Sequence, residues 1–507
     1  MIIQYNFNYI HNNGLLTRLL NKISKSFGDR VFLGRNEDNY LLESEGEQKE
    51  LEEIAHKISS TIPSSIFLNF SSVKEVSEFT ATKTVLEDNT KFYAIPFCIE
   101  CQDRILSNTK DLNLNCEICG FSNSEIAVED LEVKASEFEA SGECEVQTFN
   151  GKRIFSKTGG LSIICNDYVN ISEYFIITQS ELNALTSVEK PSIRLKPKLK
   201  LKMEFDLTEP FYDVFLPDDK ITLALCSTLK DTKIIFCNDT DLPKVSAVLD
   251  RKLIIKSARD LQADGTKNEI EMLRSIITEH KLVTPSVCAI HLSHSTASTI
   301  FTFNSKIGHT KMVEFGKLPY SINEVFELIK NTDESGEKLI NNLKLKNETL
   351  YEKMISHKFD DSNAQPLTQL FAIISIILGL SEDKSIKRAS LFLEATAIEF
   401  GGKSGPRIDY KVKKIDNVYT LDLTKAIRSA ISFKLAGVDS YLISFGVLDS
   451  LADFLATQAE DADANTSIDA LFLSGNVFEN RQLFLRTVNA IEPNYKVYTN
   501  ERVEIWN

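Results

Sequence analysis

Positive charge is scarce in this chain. Its 57 Lys and Arg stand against 72 Asp and Glu, a formal net charge of −15 over 507 residues. That deficit argues against general nucleic-acid binding, because neutralising phosphates takes a basic excess. Long apolar runs are missing too: the most apolar stretch, 370–380, is only eleven residues, too short to cross a bilayer and read as a buried core helix. The opening Met1-Ile-Ile-Gln-Tyr-Asn6 lacks the basic and then apolar order of a signal peptide. Nine cysteines show no pairing pattern of a disulfide framework, so a reducing, cytoplasmic setting is expected. No internal repeat and no low-complexity tract is present. What remains is an ordinary folded composition, 43% hydrophobic and 25% charged. The chain is too long for one core, and three or four domains are expected.

The most specific pattern is made of cysteines. Cys98-Ile-Glu-Cys101 and Cys116-Glu-Ile-Cys119 are two CxxC pairs separated by fourteen residues, with Gly120 directly after the second. Each pair can form a tight knuckle, and closing both on one ion supplies the tetrahedral set of four thiolates that Zn²⁺ prefers. Gly120 suits a sharp turn around a metal. The spacing points to a small zinc ribbon, its zinc structural because four protein ligands leave no open position for substrate. Four unrelated buried or redox cysteines, or an iron–sulfur cluster, are the other readings of these residues.

In chain order, residues 1–10 read as a strand and 15–27 as a helix, from Leu15, Leu19, Leu20, Ile23 and Phe27 at helical spacing. Residues 31–33 and 40–43 read as strands around a turn at 36–39, 48–59 as a second helix, and 65–70 as a last strand. This β-α-β-β-α-β order is the ferredoxin-like split, which serves many functions. Residues 71–150 hold the cysteines between acidic flanks and return to strand at 142–149. Residues 150–275 read as mixed α/β, with Gly265 in a linker before a helix at 268–280. From about 283 the pattern is α/β. Helices are expected at 322–330, 336–356, 367–380, 386–400, 423–435 and 440–458, and strands at 286–290, 298–304 and 468–474.

Several stretches resemble a known family. Leu473-Ser-Gly-Asn-Val-Phe-Glu-Asn-Arg-Gln-Leu483 is similar to LSGGVFxNRxLL of the carbamoyltransferase HypF family of [NiFe]-hydrogenase maturation. Gln365-Pro-Leu-Thr368 and Phe392-Leu-Glu394-Ala395 resemble that family's P-x-T-S and Y-E-G-Q-A stretches. Gly159-Gly160-Leu-Ser-Ile-Ile-Cys165-Asn-Asp167 resembles GGFHLxCDA, and Leu216-Pro217 with Ile234-Ile-Phe-Cys237-Asn238 resembles LPYTP…VMTSGN. The resemblance implies a multidomain α/β and α+β protein. It would hold an acylphosphatase-like ferredoxin-type domain (1–75), the zinc-ribbon region (76–149), a YrdC-like α/β domain (150–275) and a TsaD-like domain of the actin/Hsp70 superfamily (276–507). It further implies an enzyme that makes a carbamoyl-adenylate from carbamoyl phosphate and ATP, then passes the carbamoyl group to a cysteine of a HypE-like partner. No membrane or nucleic-acid partner is expected.

The chain departs from the family at charged positions. Where the first domain should carry GVGFR it has His11-Asn-Asn-Gly-Leu15, with Arg18 a helical turn onward, where a solvated face is expected; Asn36 or Asn39 could stand for the family's Asn. A basic triphosphate clamp is absent after Asp167, and Lys196–Lys202 comes later, as a phosphate site or a solvated charged strand. H-H-x-A-H appears as Ile290-His291-Leu-Ser-His294, and D-G-x-G as Asn304-Ser-Lys-Ile-Gly308. His291 and His294, three apart on an expected helix, would share a face and form a weak second metal site, or be ordinary polar residues. The sequence ends at Trp506-Asn507 without the family's N-D-G-G. Candidates for the nucleotide or carbamoyl site are therefore Ser474, Gly475 and Asn480, with Asn238 in the YrdC-like segment. Two readings follow: a divergent carbamoyltransferase, or a catalytically degenerate scaffold with a structural zinc. A TsaD-like tRNA-modifying enzyme is disfavoured by the acidic charge and the missing ligands.

Overall fold

Tyr5, Phe7 and Tyr9 are buried along β1 (Ile2–Tyr9), while Asn6 and Asn8 between them are half-buried. That is the two-residue period of a strand with one face on a core. The computed structural model describes residues 1–507 apart from 12, 89–94, 109–111, 113–114, 121–128, 150, 167, 239–243, 250–251, 258–262, 265–268, 284, 362, 416–417, 502–503 and 506–507. The chain divides into two compact units, one formed mainly by residues 1–251 and the other mainly by 262–507.

In the first unit β1 leads through Gly14, at φ 74°, into α1 (Leu15–Phe27), whose Leu16, Leu20 and Ile23 are buried. β2 (Val31–Asn36), β3 (Asn39–Glu45), α2 (Gln48–Thr61) and β4 (Leu68–Val76) follow. The four strands pair antiparallel in the order β2-β3-β1-β4, so the ferredoxin-like split is present. β4 starts later than the expected 65–70. The Ile66 amide donates instead to the buried Glu189 carboxylate at 3.1 Å, which takes it out of a strand ladder, and Ser65 Oγ donates to the same carboxylate at 2.5 Å.

The cysteine region contains two helices that the sequence reading did not anticipate, α3 (Ile99–Ser107) and α4 (Leu131–Ser141), the latter capped by the Asp130 carboxylate. Next come β5 (Glu143–Thr148), β6 (Gly151–Ser156), β7 (Ser162–Cys165), α5 (Ile171–Tyr174), β8 (Phe175–Ile176) and α6 (Gln179–Thr186). β9 (Ile193–Pro197), α7 (Leu199–Phe205), β10 (Tyr212–Phe215), α8 (Lys220–Thr228) and β11 (Ile234–Asn238) complete a seven-stranded sheet in the order β5-β6-β11-β7-β10-β9-β8. Its central strands are apolar on both faces, as strands covered on both sides must be. Ile164, Phe215 and Ile235 pack with α4 and α8, and their neighbours Ile163, Val214, Ile234 and Phe236 with α5, α6 and α7.

The chain passes through β12 (Lys244–Leu249), β13 (Lys252–Ser257) and β14 (Ala263–Asp264) to α9 (Glu269–Glu279), β15 (Val287–His291), β16 (Thr299–Asn304) and β17 (Gly308–Phe315). Then follow α10 (Ile322–Lys330), α11 (Glu334–Lys346), α12 (Glu348–Ile355), α13 (Pro366–Leu378) and α14 (Ile386–Glu399). β18 (Lys411–Ile415), β19 (Val418–Asp422), α15 (Leu423–Leu435), α16 (Ser440–Thr466), β20 (Ala470–Ser474), α17 (Arg481–Ile491), β21 (Lys496–Tyr498) and β22 (Glu504–Ile505) end it. The second unit's sheet runs β18-β19-β17-β16-β15-β20-β21, with β15, β20 and β21 parallel. All five residues of its rim strand β18 are exposed.

The expected helix over 336–356 is two helices. The chain breaks at Asn347, which leaves helical geometry at φ −156° and accepts a hydrogen bond from the Leu350 amide as the cap of α12. α13 is buried on every side from Leu367 to Leu378. The 27-residue α16 has the length and hydropathy of a membrane span, but 72% of its apolar window is buried inside the unit, where it packs against α14 and α17 as a core helix.

Candidate functional site

The four cysteines of the CxxC pairs meet at one point. Cys98 occupies the cap position of α3 and Cys101 lies within that helix, while the second knuckle turns at Gly120, at φ 71°, whose amide donates to the Cys116 carbonyl at 3.0 Å. Cys98 Sγ lies 3.6 Å from Cys116 Sγ, Cys101 Sγ lies 3.8 Å from Cys119 Sγ, and all four sulfurs fall within 4.8 Å of one another. Tetrahedral metal–sulfur bonds of about 2.3 Å require sulfurs roughly 3.8 Å apart, so these residues fit a metal ion. Charge balance asks for one as well. Hydrogen bonds from neighbouring thiols pull Cys98 down to about 7 and Cys116 lower still, while the same contacts push Cys101 and Cys119 up. Four thiolates ionise together here only around a cation.

This knuckle is also a packing centre. Leu15 and Leu19 of α1, Ile95, Phe97 and Ile118, and Val188 beyond α6 close around Cys98, Cys101 and Cys119. Arg18 is not on a solvated face as expected: its side chain is 14% exposed and pairs with Asp88 at 2.5 Å.

A second constellation forms in the other unit, at the carboxyl ends of the parallel strands β15 and β20, where α/β sheets bind ligands. His291 and Ser474 are register partners. His291 Nδ1 is 3.0 Å from Ser474 Oγ, and its Nε2 is 2.9 Å from Thr296 Oγ1. Burial pulls this ring down to about 4, so it is neutral at neutral pH. His294 Nδ1 lies 2.9 Å from Thr368 Oγ1, and its Nε2 lies 3.2 Å from Glu394 Oε1. Asn480 Nδ2 donates to Glu394 Oε2 at 3.2 Å, while its Oδ1 accepts the Gln482 and Leu483 amides at the start of α17. Thr368, Glu394, Ser474 and Asn480 are each at most 1% exposed. Gly475, at φ 102°, lets the strand turn: a Cβ there would run into the Leu292 carbonyl oxygen. The turn brings Asn476 Oδ1 to the His294 amide at 2.7 Å.

Ser474, Gly475 and Asn480 are thus brought together, with His291 and His294 beside them. The two histidines lie on a strand end and the turn after it, not on a helix. Both His291 nitrogens meet hydroxyl groups of the chain, whereas His294 Nε2 is buried without hydrogen-bond geometry to Glu394. Among the described residues the four cysteines are the group of three or more ligating side chains that converges. Sequence reasoning did not single out Thr368, Glu394, Thr296 or Asn476 as site residues. Thr368 and Glu394 stand in stretches that carry the family resemblance, and that was their signal; no spacing reveals that they meet.

The remaining candidates lie on other elements. The side chain of Asn238, at the end of β11, lies outside the described residues, as do Asp167 and residues 506–507. The lysines of 196–202 do not form one patch. Lys196 is buried in β9, Lys198 donates to the Ser172 carbonyl at 2.5 Å, and Lys200 pairs with Glu173 at 3.1 Å. Asn39 accepts from Asn8 at 3.0 Å inside the first sheet. The Leu216-Pro217 stretch leads to Asp218, which takes both Arg153 guanidinium nitrogens at 2.6 and 3.1 Å in the interior. The Asn304 side chain caps its own turn at the Lys306 amide.

Comparison with known proteins bears on both constellations. Residues 320–505 match the family described as carbamoyltransferase, Kae1-like domain, second subdomain. Protein HydE of Wolinella succinogenes is 28% identical over 350 residues, which is 65% of this chain and 63% of that protein, so the match spans under two thirds of the relative's length. Full-length HypF, crystallised in the phosphate- and nucleotide-bound form, superposes with a TM-score of 0.58 at 13% identity, over 99% of this chain and 96% of that one. T. kodakarensis HypF gives 0.57 at 12%, over 100% and 96%. At such identities these structures share the fold.

Proposed function

We propose that this chain, whose residues 320–505 match the Kae1-like carbamoyltransferase family and whose fold is that of HypF, handles a carbamoyl group in hydrogenase cofactor maturation. The substrates would be carbamoyl phosphate, ATP and one water: hydrolysis of carbamoyl phosphate releases phosphate, and the carbamate attacks the ATP α-phosphate to give a carbamoyl-adenylate with release of pyrophosphate. The acceptor would be a cysteine of a HypE-like partner in the cytoplasm. The observation that carries this reading is the convergence of Ser474, Asn480, Glu394, His294 and Thr368 at the carboxyl ends of two parallel strands. A carbamoyl group needs an acceptor for its amide hydrogens and donors for its carbonyl oxygen. Glu394 offers the first, Asn480 and His294 the second. Zinc is the metal proposed for the tetrathiolate, as the ion for which four thiolates make a closed structural site.

A second reading, a scaffold that has lost its catalysis, is favoured by one feature of the same geometry. Both His291 ring nitrogens and the Asn480 amide already have partners within the chain, and Arg18 is held by Asp88 instead of standing free for a phosphate. Purified protein given carbamoyl phosphate and ATP decides between them. Pyrophosphate release above an enzyme-free blank supports the transferase. Release no greater than the blank, from protein that still binds its partner, supports the scaffold.

A further inference from the structure

Arg18 stands one turn into α1, and its guanidinium is placed against the metal knuckle. Its Nε donates to Asp88 Oδ2 at 2.5 Å, while Nη1 is buried without a hydrogen-bond partner among the described residues. That Nη1 lies against Gly120, the residue after the last thiol, and a Cβ on Gly120 would run into it. Arg104 approaches through α3: its Nη2 donates to Cys101 Sγ at 3.3 Å, and its Nε is likewise buried and unpartnered. Both cations therefore carry donor capacity that the described protein groups do not use; Arg104 reaches a thiol, and Arg18 lies against the residue that follows Cys119.

Four thiolates around a divalent ion leave a formal charge of −2 in a buried setting, and buried charge is costly unless offset nearby. We propose that Arg18 and Arg104 are the outer cations of the tetrathiolate site, and that Arg18, carried by the ferredoxin-like domain, makes metal affinity depend on the docking of that domain. The proposal rests on the reading that the cysteines hold zinc. Lys22 of α1 pairs with Glu100 of α3, and Leu15 and Leu19 pack on the thiols, so the whole face of α1 follows the knuckle. By linkage, a domain that raises metal affinity is itself held more tightly by the metal.

The test is competition for Zn²⁺ between the full-length chain and a chromophoric chelator. Removing an outer partner of a metal ligand typically weakens binding about 10–100-fold. Arg18→Met is expected to fall in that range, and Arg18→Lys, which keeps the charge, to recover part of the loss. Arg18→Gln, neutral but still polar, should weaken binding as well; it decides the matter if Arg18→Met does not fold by circular dichroism. Wild-type affinity in a folded Arg18→Met chain overturns the proposal and leaves the zinc reading intact. A wild-type chain that takes up no zinc overturns both.

Discussion

Glu394 has no exposure and receives two neighbours, the His294 ring and the Asn480 amide. Removing the carboxylate leaves the buried Asn480 amide donor without its acceptor, at a cost of about 1–3 kcal/mol. Glu394→Ala is therefore expected to lower the urea midpoint of the second unit by that equivalent, with Glu394→Gln losing less because it can still accept from Asn480. His291 makes a pH prediction. Its folded value, about 4, lies below the ordinary 6.5, so as pH falls the unfolded chain binds a proton before the folded one does. The stability tied to this ring is complete above about pH 6.5 and declines toward pH 4, by at most about 3 kcal/mol. Denaturant midpoints at pH 7.5 and 5 should differ more for the wild type than for His291→Asn. The individual cysteines were legible in the sequence because ligand spacing is local. The partners of Glu394 were not, because His294, Thr368 and Asn480 lie far from it along the chain and meet only after the sheet forms.

Elements were legible where an apolar stripe is regular. α1, α10 and α15 span the residues that their spacing indicates, since Leu, Ile and Phe recur there at three- and four-residue steps. The stripe over 336–356 continues through Asn347, so periodicity alone ran two helices together; the break is set by a side-chain cap, which spacing does not register. Asn347→Ala should destabilise by about 1 kcal/mol, the usual worth of a cap, read as a shift in thermal midpoint. α3 and α4 were hidden for another reason. α3 begins directly after Cys98 of the first CxxC pair, and the buried side of α4, Leu131, Ala135 and Phe138, sits among Glu and Ser residues that read as an acidic flank.

At the scale of the molecule the ferredoxin-like split of the first strands was legible, because strand and helix periods alternate along those residues. The role of the knuckle as a packing hub was not, because Leu15, Leu19 and Val188 are remote from the cysteines in sequence. A structural metal adds its binding free energy to folding. Chelation, or Cys116→Ser, should therefore lower the calorimetric transition of the first unit and leave that of the second in place. Metal analysis should fall from about one zinc per chain to none in that variant.

The rim strand β18 has a consequence for how the chain behaves in company. Its five residues include Lys411, Lys413 and Lys414, all open to water. A neighbouring copy laying its own strand along that rim would bring these ammonium groups against their duplicates. At the other rim, β21 offers only three residues. The sheet is thus a poor template for filament growth, even in a crowded cell.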